Sequence, residues 1–541
     1  MAVFPRFGPD PSTPLLAQCE FIIDRITTLL SELEQLKAAI ERRPASGYKP
    51  VSWNQAVPGL GFFERLIVSE KKHLEKMVQS YDAVHNETVD VEELDSKVRL
   101  RLDASNYKFY ETVWEITKRC CDLTGMRREI TYKTRNKKAI NAVVDLVVNG
   151  GADWIKVVTT TERRLFYEMA DAGWDWDEDD DEAMLDVLRD ETEDSIEVAK
   201  VARHMVAAAR TSYQDYRRPR VRILMSRVCE GENAQVDRLL RLVRKLSDGR
   251  VELVVETANG PGLLTQATPA FDAAVGNLIN TDYFRDFTTT LNVDCSVFMA
   301  LASDFSHTAI GPESQLLRSK QHRIDAADEF ENGPRLANTL YPAMRGRRLV
   351  CTKEAADTFL KIVYEIGTPT EVARTRVLFE QSETATEDGG EQRRRVEMLQ
   401  QLSVHTVPED LVLPITVVGS VTWDDAQRMV ETGELPRVAL AAGHKGSGLN
   451  AMNVSSFLYG WKAGLTTITS NWEAAKRLRT VVETNRITGD EVGPHIWRIP
   501  FSRKLLAKPK AEGEPAGRLK SRAERKEEKE VSLRNWTAEA E

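Results

Sequence analysis

The sequence predicts an α/β protein, with a mainly helical α+β N-terminal domain and a C-terminal domain built on a parallel sheet. Three observations predict it. A strand at 221–228, a helix at 234–246 and a second strand at 251–256 follow one another in a β-α-β rhythm, which implies a parallel pair. A β-rich run ends at Asp294, and an amphipathic helix starts directly behind it at Cys295 and Ser296. Further on, a helix at 453–463, Gly464, a short strand at 465–468 and a Thr469-Ser470-Asn471 turn lead into a helix at 472–481. That succession carries side chains to one edge of a parallel sheet.

At 541 residues the chain is too long for one hydrophobic core, so several domains are expected. The boundaries read as a helical domain over 1–215, a β-α-β segment over 216–264, a third domain over 265–506 and a charged tail over 507–541. A polar stretch at 381–391, with Gly389 and Gly390, reads as an exposed insertion. The tail has too few apolar residues to bury a core.

From the start, Ser12 is placed to cap a helix whose apolar positions run from Leu15 to Ile40 at helical spacing. Two uses fit that stripe: packing in a bundle, or a coiled coil with a protein partner. Further helices are expected at 64–80 and 107–122. Strands at 142–148 and 153–159 flank Asn149, Gly150 and Gly151, residues that tolerate positive φ, so a hairpin is expected. The run 174–182 opens on Trp174 and ends on Glu182, with acids between. It reads either as a docking motif for a basic partner or as a solvated loop before a helix. The loop 257–264 reads as a turn or linker, and the apolar stretch 411–421 as a buried strand.

Composition excludes several classes. The net charge of -9 leaves only a local patch for any nucleic-acid contact. The six cysteines form no CxxC pair and the eight histidines show no zinc-ligand spacing. Few cysteines fit a reducing compartment, the cytoplasm or the nucleus. No signal peptide is read at the start, and no apolar run reaches the ~18 residues of a membrane span. No GxSxG elbow, HExxH helix, EF-hand loop or kinase signature occurs.

The Asp294 segment carries the sharpest chemistry. An acid at the carboxyl end of a parallel strand sits where α/β folds place ligands, and it suits a hard divalent cation. The plain alternative is an Asp that caps the next helix. Together with the 453–481 segment it resembles the PIN domains, metal-dependent nucleases of RNA and sometimes of DNA. In that pattern a strand ends in Asp before a small-residue helix start, as at Asp294 and Ser296. An acid on a later helix, a Gly-containing turn, a strand and a Thr-x-Asp or Thr-x-Asn turn close it, as at Asn453, Gly464, 465–468 and Thr469 to Asn471. The wider chain resembles the eukaryotic family with domain of unknown function 1308, which sets a PIN-like C-terminal domain behind a helical N-terminal one. The matching features are the hairpin from Asn149 to Val157, the Asp294 segment with Ser303 and Asp304, and Ile366-Gly367 followed by Glu371.

The resemblance implies three or four carboxylates that hold Mg²⁺ or Mn²⁺ and activate water. Asp294 is the expected metal ligand. The second acid belongs in the helix after a strand near 349–351, where Glu354 and Asp357 are candidates. Asp304 is a further candidate, and Glu371 and Glu473 are weaker ones. A surface carboxylate is the plain reading of each of these. The third and fourth acid positions hold Asn453 and Asn471, which offer carbonyl oxygens without charge. Ser296, Thr469 and Lys445 are candidate nucleic-acid contacts, the last within the glycine-rich loop 443–448, which misses the P-loop spacing. The basic runs 318–323, 345–348 and 393–395 are either a local groove or separate solvated patches. The expectation is a degenerate nuclease that binds RNA or a protein. The alternatives are an active metal-dependent ribonuclease and a protein-interaction scaffold.

Overall fold

The computed structural model describes residues 9–10, 12–42, 52–84, 91–133, 137–176, 181–189, 196–247, 249–279, 282–380, 390–443, 447–489 and 491–509. The chain forms two compact units that divide between Asp282 and Tyr283. None of the described helices is long and apolar enough to cross a membrane.

In the first unit the helix Leu15–Glu41 buries Cys19, Ile22, Ile26, Leu29, Leu33, Leu36 and Ile40 along one stripe. That stripe is spent on the unit's own core with Leu60, Phe63 and Ile67, so it is the packed helix and not a free coiled-coil face. The expected Ser12 cap is not made. Ser12 bonds Asp10 instead, and Pro14 precedes the first turn. The next expected helices span Leu60–Val84 and Tyr107–Thr117. The second of these stops short of 122, where the Asp122 amide turns to the Asn277 carbonyl.

Five strands follow: β1 (Gly125–Lys133), β2 (Ala139–Val148), β3 (Asp153–Val158), β4 (Arg220–Met225) and β5 (Leu253–Thr257). They lie in that order in one sheet, antiparallel from β1 to β3 and parallel from β3 to β5. The β2–β3 hairpin turns on Asn149, Gly150 and Gly151, all with positive φ. β1 was not read from the sequence. Its Arg127 at φ 47 and its mixed polar face blur the period-two pattern. Ile155, Val157 and Leu224 face the core of the long helices, while Trp154, Val158, Ile223 and Met225 face a second core with the helices Glu197–Arg210 and Ala234–Arg244. The unit is thus α+β and mainly helical as expected, but its helices cover both faces of a five-stranded mixed sheet larger than the expected hairpin.

The separate 216–264 segment and the boundary at 265 are corrected with it. β4 and β5 complete the same sheet, and buried charges tie them in. Asp153 accepts from Arg220 at 2.6 Å, and Glu256 pairs with Arg222. Glu256 also accepts the Leu263 amide at 2.7 Å, which folds the supposed linker loop onto its own strand. Leu263, Leu264 and Leu278 complete the first core.

The run at 174–182 is likewise used internally. Trp174 is buried, donates from its indole to Gln235 and lies under the Arg238 guanidinium. Asp181 pairs with Arg238. Residues 177–180 lie outside the described residues, as do most of the expected insertion and the tail from 510.

The second unit is built on β6 (Thr290–Val293), β7 (Arg348–Thr352), β8 (Thr416–Val418), β9 (Thr466–Thr469) and β10 (Ile496–Arg498). All pairings are parallel and the order is β10-β9-β6-β7-β8. The chain thus runs outward from β6 to β8, then returns to the other side of β6. That reversal between β6 and β9 is a topological switch point, where open α/β sheets bind ligands at the carboxyl ends of their strands. One core holds Leu291, Val293, Leu349, Cys351 and Ile468 against Phe298, Phe359 and Val363. The expected buried strand at 411–421 shrinks to β8. Leu411, Leu413 and Ile415 are buried outside any strand, and β8 is a half-exposed edge. Pro414 lacks the amide a ladder needs.

Candidate functional site

β6 ends at Val293, and the helix Cys295–Ala302 begins two residues on, so Asp294 is the last residue before the helix. Its side chain makes no capping bond. It turns instead toward β9: Oδ2 accepts from the Thr469 hydroxyl at 2.7 Å and from the Ser296 hydroxyl at 2.9 Å. Ser296 Oγ in turn accepts the Ser470 amide at 2.9 Å, and Thr469 Oγ1 accepts the Asn471 amide at 2.9 Å. Three of the expected site residues, Asp294, Ser296 and Thr469, thus form one bonded group at the switch point.

Asp294 is buried, and its Oδ1 has no protein partner. Burial pushes its carboxyl above the ordinary carboxylate range, against the opposing bonds from Thr469 and Ser296. A structural carboxylate is normally satisfied on both oxygens, so a buried orphan at a ligand-binding edge marks a site.

The helix Ala451–Lys462 precedes β9, so its first turn lies at the same carboxyl edge. Asn453 is in that turn, buried, with Oδ1 also unpartnered. Two residues on, the Ser455 hydroxyl donates to Glu354 at 2.8 Å. Glu354 is in the first turn of the helix Lys353–Ile366, directly after β7. Asn471 caps the helix Trp472–Thr484 by accepting the Ala474 amide at 3.1 Å, so its side-chain oxygen is committed there.

The remaining candidates lie elsewhere. Asp357 is exposed. Glu473 is an exposed partner of Arg477. Asp304 follows the far end of the helix Cys295–Ala302, which carries it away from the carboxyl edge. There it is buried, accepting from Arg374 at 2.7 Å and from Thr368 and Thr370 at 2.6 Å each. Burial opposes its charge, but those bonds win and hold its carboxyl below the usual range. Glu371 is buried beside it and accepts the Asp304 amide at 3.1 Å and the Leu506 amide at 2.7 Å. Both are structural carboxylates. Members of the basic runs are engaged separately: Arg318 donates to the Ala507 carbonyl at 3.3 Å, Arg345, Arg347 and Arg348 precede or open β7 at the amino edge, Arg345 pairs with Asp410, and Arg395 is buried against Glu391. Lys445 lies outside the described residues. The end of its loop is held where Arg477 donates to the Gly448 carbonyl at 2.9 Å.

His307 closes this structural cluster and predicts an acid-sensitive fold. It is buried, with Nε2 at 2.8 Å from the Leu301 carbonyl. Burial first, then the positive charge of Arg374, pushes its pKa down to about 3. The unfolded chain takes up that proton near pH ~6.5. Neutral His307 therefore favours folding fully above that pH, and its contribution is lost as pH falls from there toward 3. The expected slope from this residue is about 1.4 kcal/mol per pH unit. Urea unfolding at descending pH should show it, and His307→Gln, which keeps a donor but does not titrate, should flatten it. An equal slope in both proteins would refute the assignment.

The switch-point residues do not fit a divalent cation well. Among the described residues no group of three or more His, Cys, Asp or Glu side chains is placed to hold a metal. Asp294 is the one acid in the bonded group, and its Oδ2 already accepts two hydroxyls. Sequence reasoning missed Ser455, and with it the tie between the two first turns at Glu354. A Ser inside an apolar helix carries no signal until the strand order is known. Comparison of the chain with family models, curated proteins and solved structures gives no match.

Proposed function

We propose that the second unit is a degenerate PIN-like nuclease domain that binds single-stranded RNA at the carboxyl edge of its sheet without cutting it. The observation that carries the reading is the charge count at the switch point. Two carboxylates, the buried Asp294 and the half-buried Glu354 held by Ser455, stand along that edge, with the amides Asn453 and Asn471 in the positions where the PIN resemblance implies the third and fourth acids. Hydrolysis by a metal-activated water needs several anionic oxygens at close range. Binding does not. Fewer carboxylates also means less repulsion of a phosphate backbone.

The groups that remain suit phosphate and sugar oxygens. The half-buried Ser296 and the buried Thr469 spend their hydroxyl protons on Asp294 and hold the turn, so the groups left at the edge are the side chains of Ser470 and Asn471 and the exposed Lys353, which begins the helix after β7. Hydroxyls, amides and lysines make most backbone contacts to nucleic acids. A labelled single strand of about 15 nucleotides, followed by fluorescence anisotropy, tests this. Binding should weaken between about 50 and about 200 mM salt and be unchanged by EDTA. No binding at low salt by a folded protein would overturn the RNA reading. Binding that EDTA abolishes would overturn the metal-free one.

A further inference from the structure

We infer that Trp472 is a stacking platform for one nucleobase, set beside Asp294 at the carboxyl edge of β9 and β10. The inference rests on the RNA-binding reading above and gives that site its contact with the base.

Trp472 follows the Thr469-Ser470-Asn471 turn directly and is 44% exposed. Its indole is nonetheless fixed. Nε1–H donates to the Ile499 carbonyl at 2.8 Å, and the Arg498 guanidinium lies over one ring face, 4.3 Å from the centroid. With one face under Arg498 and the N–H spent, 44% of the residue's surface is still exposed. A preorganised aromatic loses little entropy when a flat partner settles on it.

Position adds to this. β10 pairs with β9 so that Arg498 lies opposite Thr469, the residue that bonds Asp294. The ring is therefore anchored to the same turn that organises the switch point, through the Ser470 amide on Ser296. Its chain neighbours Ser470, Asn471 and Glu473 are polar. A single face beside a guanidinium suits a base with its attached phosphate: the ring takes the π-surface, and the cation attracts the backbone. Every base has a π-face, so the contact should tolerate any sequence.

The test uses the full chain and a single-stranded oligoribonucleotide with one 2-aminopurine, whose fluorescence falls when it stacks. Wild-type protein should quench it on binding. Trp472→Ala should lose the quench and bind about ten- to a hundredfold more weakly. Trp472→Phe, which keeps a π-face, should retain the quench and most of the affinity. This second variant guards against a folding defect, which circular dichroism would also reveal. An abasic nucleotide in place of the 2-aminopurine should erase the difference between wild type and Trp472→Ala. If Trp472→Ala binds and quenches like wild type, the platform is wrong while the RNA reading stands. Equal loss of affinity in both variants without loss of the quench points to a structural Trp and also overturns the platform. If wild-type protein binds no RNA but captures a protein there, both fall together.

Discussion

Arg374→Ala should destabilise the second unit by about 3–5 kcal/mol in urea unfolding, the usual cost of breaking a buried ion pair from one side. Arg374 is 1% exposed. Its guanidinium donates to Asp304, to the Ala302 carbonyl at 2.9 Å, and to the Leu402 carbonyl at 3.0 and 2.8 Å. Truncation leaves a buried carboxylate with only Thr368 and Thr370 as donors, and two carbonyls unpaired. Against a total stability of about 5–15 kcal/mol, that loss is severe. Arg374→Lys keeps the charge but not the fork, and should fall between the two. A loss below about 1 kcal/mol for Arg374→Ala would mean the cluster is wet or loosely packed, contrary to the burial described.

Gly460→Ala should cost about 1–3 kcal/mol, as overpacking usually does. A Cβ there would lie 2.1 Å from Thr467 Oγ1 and 2.9 Å from Asn292 Nδ2. The helix Ala451–Lys462 packs so close to the sheet that Asn292 donates to the Ser456 carbonyl at 2.8 Å and to Thr467 at 3.0 Å. Lifting the helix breaks these bonds and shifts Asn453 and Ser455 at the site edge. Thermal melting should show the loss. Adding Thr467→Ala removes the clashing oxygen and should restore part of it, a coupling between neighbours that independent sites lack. Simple additivity of the two substitutions would contradict the close approach.

Much of the second unit's fold is legible in the sequence, because its strands are short apolar runs bounded by glycine and polar turns. The Asp294 strand end, the Gly464 turn, β9 and the capped helix behind Asn471 all lie where their residues imply. So does the grouping of Asp294 with Ser296 and Thr469, since the two segments end at one sheet edge. The first unit was harder. Its β4 and β5 read as a separate segment because nothing local reveals that β3 pairs with the distant β4, or that Glu256 folds the next loop back. Asp304 shows the other limit. Ten residues after Asp294 it reads as a further candidate ligand or a plain surface carboxylate, but an eight-residue helix carries it to the far end, where it is buried and Arg374 claims it. The acidic run splits: Asp181 and Glu182 open the helix Asp181–Arg189 as the reading of a loop before a helix implies, whereas Trp174 is core because Arg238 and Gln235 come from a distant helix to meet it.

One gel assay tests the central claim most directly. A labelled single-stranded RNA is incubated with the full chain and Mn²⁺, then resolved in parallel under native and denaturing conditions. The account predicts a shifted band on the first gel and intact RNA on the second, for wild type and for Asp294→Asn alike. Cleavage that requires Mn²⁺ and disappears in Asp294→Asn would contradict it, and would show that Asp294, with Glu354 and two asparagines at the same edge, suffices for a working metal site.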